Sequence, residues 1–574
     1  MAEFKWGRDA SVLAPSGVQE RSPACITQEE QADIDALHAW LSCNGARYKN
    51  IIWPSNDTKS GSRGAVAAED IGTNDYILEI PIKCMMSPPH ALNDPVYGET
   101  LRIEYQFLLG DTLLAVYIMI ERLKGTKSFY YPYLKMIPMP ATVLHWTKEE
   151  IKLLQDFEMH TKTKSKRSHI RRLYERMIEP LHEKYPVLFP SEDFTFEEFE
   201  FAWNTIQARA FGKRLKWSAL VPFADFLNHS NVQTKYDYDL DGNGFFRLFP
   251  SGANRYNKGS EVFNSYGRRP NDNLLLDYGF SMLHNEWDRV EIMFQLARND
   301  PNYTAKISLL RSNGLPGVKR VRLARNGLPL DSFTFLRIIT LTEQELESVE
   351  LGTTDKETFA LFDGLKFVDN ELKCIELLIN GLLAWNDQQE TSIAYDEKEL
   401  AALLSSDSQE REEAMLTLRL NAMTTTSHDK DDDGDVQPVN IDSWHAECAI
   451  MYRLTRKYIV RQQLKKLNLL KDVLEKIKKV DGRIETGGVD PEIRENFRQL
   501  LYNLIAVLSE EKIFGKESDA AYEETINDLE IAKRKHSKAP KEDCGMYHLI
   551  FFYEQFLDYY ESKYLAGDIL AGLC

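Results

Sequence analysis

The stretch VPFADFLNHS, residues 221–230, leads an apolar run into two polar side chains, Asn228 and His229. An amide and an imidazole at the end of a strand-like run can bind a polar ligand. They can equally close a turn around a hydrogen-bonded core histidine. Taken alone, the stretch favours the turn, and its meaning depends on the segments around it.

Two further segments follow between residues 261 and 280. The first, EVFNSYG at 261–267, brings Tyr266 into a glycine turn, and the second, LDYGF at 276–280, places Tyr278 and Phe280 beside another glycine. Tyrosines next to glycines are commonly core or turn residues, so neither segment decides a function by itself. The order of the segments along the chain is the informative feature.

The surrounding sequence predicts a β-rich region that is interrupted by helices. Short runs rich in β-branched and aromatic residues, separated by turn residues, occupy 51–86 and 220–265. Residues 95–210 have helical spacing of apolar residues. Their most apolar run, 113–123, is shorter than the ~20 residues of a membrane helix and is expected to be a buried helix. From about 285 onward the pattern is mostly helical.

Composition and charge exclude several classes of protein. The chain has 574 residues, a net charge of -18 and a pI of about 5.3, which argues against binding to duplex nucleic acid. Its seven cysteines include no C-x-x-C pair, so neither a zinc cluster nor a disulfide framework is predicted. The N-terminus lacks the apolar run of a signal peptide. We expect a cytoplasmic and/or nuclear monomer without membrane association, and a plastid is not excluded.

Together the segments resemble the SET-domain protein methyltransferases, in the branch typified by the Rubisco large-subunit lysine methyltransferase. The resemblance covers roughly residues 35–470, and it depends on the order of the segments because each one is weak alone. It implies an α+β fold, with a β-rich SET domain that contains a helical insertion and an all-α substrate-binding domain after it. The matching segments, in chain order, are GSRGAVA (61–67), RAF (209–211), ADFLNHS (224–230), NSYG (264–267) and LDYGF (276–280).

Domain boundaries follow from the texture and the resemblance. We predict a flexible N-terminus over 1–34, the SET domain over 35–94 and 211–285, and its helical insertion over 95–210. The substrate-binding domain spans 286–480 with an acidic disordered loop at 404–441, and additional helices follow over 481–574.

The resemblance also implies the roles of the site residues. Tyr266 is the implied catalytic residue, where the cofactor and substrate channels meet, and no metal ion is implied. For Asp225, support of the turn and a contact with a ligand are both open. Phe211, Ala224 and Tyr278 are expected to line the substrate channel. The implied cofactor, S-adenosyl-L-methionine, is expected to contact Gly61, Ser62, Arg63, Arg209, Asp225, Asn228, His229, Tyr266, Tyr278 and Phe280.

The chemistry explains these residue types. Methyl transfer from a sulfonium requires a neutral amine, whereas free lysine has a pKa of about 10.4. An apolar aromatic channel disfavours the ammonium form. We therefore predict a protein-lysine N-methyltransferase whose partner is a histone or non-histone protein carrying the target lysine. Two alternatives are a protein-histidine N-methyltransferase, like one actin-directed relative in the family, and a catalytically silent SET scaffold that binds protein.

Two positions favour lysine over histidine. In the histidine-modifying relative, the position matching Phe211 is asparagine, which can bind an imidazole, and the position matching Ala224 is tryptophan. Here Phe211 offers an apolar wall for the aliphatic stem of lysine, and Ala224 leaves space. The residues therefore favour lysine as the acceptor.

Two charged stretches remain. Residues 429–434 match the start of an EF-hand calcium loop, but Asn440 stands where the bidentate glutamate is needed, so a solvated acidic loop is predicted. The basic stretch 162–176 lacks a nucleic-acid motif. We interpret it as a solvated helix face, which could also meet a protein partner, and expect no nucleic acid.

Overall fold

The computed structural model describes residues 27–55, 63–73, 75–104, 110–212, 215–238, 244–324, 330–347, 368–426 and 440–484. Their contacts divide the chain into two compact units. The larger unit contains the described residues of 27–288 and 391–455. The smaller unit contains those of 289–390 and 456–484.

Two three-stranded antiparallel sheets form the β part of the larger unit. Each sheet combines strands from both sides of the helical region: Val66 pairs with Glu261 in one sheet, and Leu78 pairs with Leu248 in the other. The strand orders are β1-β2-β6 and β3-β5-β4. The strands are β1 (Ile51–Ser55), β2 (Gly64–Ala67), β3 (Leu78–Pro81), β4 (Thr234–Tyr238), β5 (Phe245–Pro250) and β6 (Glu261–Val262).

Helices fill the interval between β3 and β4, as the sequence predicts for 95–210. Several helices of the chain begin at side-chain caps, since Thr27, Thr147, Asp156 and Thr195 each accept a backbone N–H of the first helical turn. The helices are α1 (Gln28–Cys43), α2 (Pro88–Leu92), α3 (Gly98–Glu104), α4 (Asp111–Leu123), α5 (Tyr131–Leu134), α6 (Lys148–Lys152), α7 (Phe157–Met177), α8 (Glu179–Lys184), α9 (Phe196–Arg209), α10 (Asn271–Asn273), α11 (Tyr303–Ser312), α12 (Leu330–Thr340), α13 (Glu343–Glu347), α14 (Val368–Asp387), α15 (Ile393–Leu403), α16 (Ser408–Thr426) and α17 (Ser443–Ile484).

The apolar run at 113–123 is the central helix of the larger unit. Helix α4 is buried along nearly its whole length and packs against α9. Burial on all sides explains why its sequence lacks the polar stripe of a surface helix. Across the residues that the structure describes, no helix is both long and apolar enough to cross a membrane.

The smaller unit differs from the all-α domain predicted over 286–480, because it contains strands and because residues 391–455 group with the larger unit. Alongside α11 to α14 it contains an antiparallel pair of strands, β7 (Arg289–Gln295) and β8 (Val318–Ala324). Val290, Phe294, Val321 and Leu323 are buried in this unit's core. An alternating apolar pattern, present in RVEIMFQ, produces this one-sided burial in a strand.

The predicted loop at 404–441 also needs correction. Residues 408–426 form helix α16, which packs against α15 and buries Ala414, Met415 and Leu418. These apolar residues recur at helical spacing, and burying them stabilises the helix despite its charged neighbours. The acidic residues 429–434 lie outside the described residues.

A short turn, residues 274–279, directly follows α10 in the larger unit. Leu274–Tyr278 form a π-helical turn, and Gly279 ends it with a positive φ of 81°. A Cβ at this position would lie 2.5 Å from the carbonyl carbon of Ala141 and 2.9 Å from the nitrogen of Thr142. Both the backbone angle and the close approach therefore require glycine.

Replacing Gly279 by alanine should destabilise the protein more than the same change at Gly259. Gly259 has nearly the same φ, 79°, but nothing lies within 4 Å of its potential Cβ. Gly259→Ala therefore tests the backbone conformation alone, at a cost of about 1–2 kcal/mol. Gly279→Ala adds a backbone clash and should cost at least about 2 kcal/mol more. Urea unfolding of both variants measures this, and equal losses would contradict the close packing at Ala141.

Candidate active site

A backbone contact brings the two central segments together. His229 and Asn264 form an isolated parallel bridge, and the N–H of Asn264 donates to the carbonyl of Asn228 at 2.8 Å. The NHS and NSYG segments therefore run side by side, although a β-hairpin separates them in the chain. This bridge places His229 beside Tyr266.

The His229 ring is held from one side only. Its Nδ1 accepts the backbone N–H of Tyr266 at 3.1 Å and lies 3.2 Å from the carbonyl oxygen of Asn264. An Nδ1 that accepts leaves the proton on Nε2, which is buried and has no hydrogen-bond partner among the described residues. Burial also lowers the pKa of His229 to about 4, so the ring is neutral at neutral pH.

Tyr266 points its hydroxyl at the backbone of the neighbouring segment. The hydroxyl donates to the carbonyl of Leu227 at 2.9 Å. Burial raises the pKa of Tyr266, so the hydroxyl keeps its proton at neutral pH. Because that proton is used by Leu227, the phenolic oxygen offers its lone pairs to a donor from a ligand.

Four rings form an aromatic cluster, which we define as His229, Tyr266, Tyr278 and Phe280. Tyr266 stacks on His229 with centroids 4.9 Å apart and on Tyr278 at 4.8 Å, while the Phe280 ring lies edge-on at 6.4 Å. Burial raises the pKa of Tyr278 as well. The LDYGF segment thus joins the other two, and the cluster gives the site an apolar wall.

Asn228 connects the site to the first sheet. Its Nδ2 donates to Oε1 of Glu261 on β6 at 2.9 Å and to the backbone oxygen of Arg63 at 3.4 Å. Arg63 directs its guanidinium elsewhere, to Glu30 at 3.5 Å. Gly61 and Ser62 lie outside the described residues. The structure therefore brings Asn228 to the Arg63 backbone.

Arg209, which is partly buried, and the fully buried Asp225 form a pair next to the cluster. Arg209 Nη1 donates to the backbone oxygen of Asp225 at 3.0 Å and lies 3.5 Å from its Oδ2. Tyr133, on α5, donates its hydroxyl to the same Oδ2 at 2.8 Å. Burial raises the pKa of Asp225 to about 6, although Arg209 and Tyr133 oppose the shift. Asp225 therefore supports the turn and orients Arg209.

Tyr133 is the residue that the sequence analysis missed. It lies in the helical insertion, far in sequence from every matching segment, and nothing around it distinguishes it from a core tyrosine. Its hydroxyl is the one feature that fits poorly with full burial, which requires a hydrogen-bond partner.

The turn before Asn228 is strained and held by aromatic packing. Phe223 has a positive φ of 73°, which a bulky residue rarely adopts. Its buried ring lies 4.4 Å from the ring of Tyr48 and 5.5 Å from that of Trp53. Such strain persists where surrounding packing fixes it, often at functional sites.

Two of the predicted channel residues, Phe211 and Ala224, are buried outside the aromatic cluster. Phe211 lies edge-on to Tyr236 and Phe246, at 5.5 Å and 5.0 Å, and pairs with Ala219 through the backbone. Ala224 is fully buried in a 3-10 turn. Within the described residues, no ring contact joins Phe211 to the aromatic cluster. Their role as channel walls stays a prediction.

The fold is similar to solved methyltransferase structures. The SET domain of LSMT bound to lysine and AdoHcy superposes with a TM-score of 0.57 at 19% identity, over 81% of this chain and 98% of that one. The chain has the SET-domain fold of LSMT. Rubisco LSMT bound to AdoMet gives a TM-score of 0.56 at 20% identity, over 81% and 99% of the two chains.

Sequence comparisons add a second domain to the SET fold. The family model described as Rubisco LSMT substrate-binding matches residues 297–459. The actin-histidine N-methyltransferases of Mus musculus and Homo sapiens are each 26% identical to this SET-domain chain over 357 residues, which is 59% of this chain. The match spans 58% of those relatives' length. The predicted α+β fold class and its resemblance are thereby confirmed.

Removing the Tyr133 hydroxyl should destabilise the SET-domain unit. In Tyr133→Phe the buried Asp225 carboxylate loses its shortest hydrogen bond, at a cost of about 1–3 kcal/mol. Tyr130→Phe is the matched control, because this buried hydroxyl donates to the neutral carbonyl of Met85 at 3.0 Å. Its loss should cost about 0.5–1.5 kcal/mol.

The loss in Tyr133→Phe should also depend on pH. Without this donor the pKa of Asp225 rises further, and the charged carboxylate present at pH 7.5 is penalised more than the protonated form at pH 5. Chemical denaturation at both pH values measures the difference. An equal loss at both would show that the hydroxyl does not act on the charge of Asp225.

Proposed function

We propose that this chain is an S-adenosylmethionine-dependent protein-lysine N-methyltransferase. The observation that carries the proposal is the Tyr266 hydroxyl, which is protonated, donates to the Leu227 carbonyl and lies within an aromatic cluster. LSMT structures with the same fold were solved with lysine or methyllysine together with AdoHcy. The substrate would be a protein, as the Rubisco LSMT substrate-binding match suggests.

Unpartnered buried groups fit the proposed cofactor. His229 Nε2 and Arg209 Nε are buried without hydrogen-bond partners in the described part of the chain. Such groups cost free energy unless a ligand pairs with them. A nucleoside with a carboxylate supplies the acceptors that both donors lack. Arg209 already uses Nη1 for Asp225, so a ligand carboxylate would bind the side of the guanidinium that carries Nε.

These groups suggest how the site would hold S-adenosylmethionine. Asn228, His229 and Arg209 would provide polar contacts, with Tyr278 and Phe280 as apolar walls. Arg63 would contribute together with Gly61 and Ser62, and Asp225 would act through Arg209. The bound cofactor supplies an electrophilic methyl group on a sulfonium.

The residues of the chain would prepare the amine. The aromatic cluster disfavours an ammonium and so promotes loss of its proton to bulk water. The Tyr266 oxygen, its own proton committed to Leu227, accepts an N–H of the neutral amine and fixes the direction of its lone pair. Alignment of this kind lowers the barrier of a displacement reaction, by about 7 kcal/mol or more in well-oriented systems.

Histidine methylation is the second candidate. It is favoured by the named relatives, which are actin-histidine N-methyltransferases. Against it stands Phe211, whose ring contacts are with Tyr236 and Phe246, so the position offers no polar partner to an imidazole. A catalytically silent scaffold is the third, and the presence of Tyr266, Asn228 and His229 in one site argues against it.

Tyr266→Phe should lower turnover at least ~100-fold while cofactor affinity changes little, because one positioned catalytic group is lost. Tyr256→Phe is the control: this buried hydroxyl also donates to a backbone carbonyl, that of Phe263 at 2.7 Å, but lies outside the aromatic cluster. Turnover with labelled S-adenosylmethionine and calorimetric binding measure both. Near-normal activity of Tyr266→Phe would remove Tyr266 from the reaction.

The unaltered protein should produce methyllysine in its protein substrates, read by mass spectrometry after incubation with a cell extract. Phe211→Asn with Ala224→Trp should shift the product towards 3-methylhistidine. Because Ala224 is fully buried, tryptophan there overpacks the core, so Phe211→Asn alone is needed as a second variant without that overpacking. Finding 3-methylhistidine and no methyllysine with the unaltered protein would select the histidine candidate.

A further inference from the structure

Helix α7 binds the turn that carries Tyr278. The Nζ of Lys166 donates to the carbonyl of Leu276 at 2.7 Å and lies 2.5 Å from Oδ1 of Asp277. One turn earlier, the Nζ of Lys162 lies 2.8 Å from Oδ2 of Asp272. For these two lysines the predicted solvated basic face is wrong, since their charges are paired inside the larger unit.

The turn that Lys166 contacts has an uncommon form. Leu274–Tyr278 are wound as a π-helix, closed by the N–H of Gly279 donating to the carbonyl of Leu274 at 2.9 Å. Single π turns are rare and occur frequently at functional sites, where the surroundings hold them. Carbonyls in the last turn of a helix also lack partners within it. A lysine ammonium donates a hydrogen bond to such a carbonyl, and its positive charge interacts favourably with the negative end of the helix dipole.

The contact is shielded enough to matter. The side chain of Lys166 is 19% exposed and that of Asp277 is 22% exposed, so the ion pair is not a fully solvated surface pair. Removing one partner of a partly buried pair leaves the other charge poorly solvated. The turn would then have to rearrange to bring Asp277 into water.

Tyr278 is fixed from both sides of the chain. Lys166 holds the two residues directly before it, while after it the carbonyl of Gly279 accepts the Nε1 proton of Trp444 at 3.2 Å. Between these anchors the Tyr278 ring stacks on Tyr266 at 4.8 Å with an angle of 25°. Rewinding the turn as an α-helix would rotate Tyr278 away from this stack.

We propose that Lys166 is a positioning residue whose ammonium holds the 274–278 turn in its π form and thereby fixes Tyr278 against Tyr266. Its effect on turnover rests on the proposed methyltransferase function. Its effect on the turn does not, and the two are measured separately.

The test compares Lys166→Met with Lys162→Met in the full chain. Both variants remove a lysine ion pair from the same face of α7, so similar falls in melting temperature are expected. Hydrogen–deuterium exchange of the peptide covering 274–280 should become at least tenfold faster in Lys166→Met and change less than threefold in Lys162→Met. Once a protein that the chain methylates is identified, kcat should fall about tenfold only in Lys166→Met. The cofactor Kd of both variants should stay within threefold of the value for the unaltered protein.

Lys166→Arg should restore most of the exchange protection and the kcat, because a guanidinium can still bridge the Leu276 carbonyl and the Asp277 carboxylate. If Lys166→Met fails to fold, the comparison passes to Asp277→Asn against Asp272→Asn, with smaller changes in the same direction. Unchanged exchange in Lys166→Met, or equal changes in the Lys162 variant, would overturn the proposal. If exchange becomes faster in Lys166→Met but the unaltered protein transfers no methyl group, the role of Lys166 in the turn is supported and the proposed function is refuted instead.

Discussion

Asn264 donates its backbone N–H to the carbonyl of Asn228, and two residues later Tyr266 donates its own to Nδ1 of His229. These two hydrogen bonds hold together segments that a hairpin of two strands separates in sequence. They set the distance from the Tyr266 hydroxyl to the Leu227 carbonyl and the stacking of Tyr266 on His229. The aromatic cluster is built outward from this bridge, because Tyr278 and Phe280 pack against a Tyr266 that is already fixed.

Burial acts on the charges of the site in opposite directions. It keeps His229 neutral by lowering its pKa to about 4, and it raises the pKa of Asp225 to about 6. It also keeps Tyr266 protonated. A single physical cause, the poor solvation of charge, therefore gives a neutral imidazole, a protonated hydroxyl, and a carboxylate that depends on Tyr133 and Arg209.

The helical insertion contributes side chains that contact residues of the site. Helix α5 supplies Tyr133 to Asp225, and α7 supplies Lys166 to the turn before Tyr278. The buried helix α4 packs against α5 and α9 of the insertion. The insertion is thus part of the architecture that orders the site's side chains.

The local chemistry of the site was determined by the sequence alone: an amide–imidazole pair after an apolar run, a tyrosine before a glycine and an aromatic closing segment, in an order that identified the fold. The alternation of β-branched runs with a helical interval also predicted which strands flank the insertion. What only the tertiary structure decided are contacts between residues distant in the chain, such as Tyr133 with Asp225 and Lys166 with Asp277. A lysine on a basic helix or a tyrosine in an apolar one carries no local signal of its partner. Helix α16 and the β7–β8 pair do have local apolar patterns, but burial against neighbouring elements stabilises them, and the sequence does not show which elements those neighbours are.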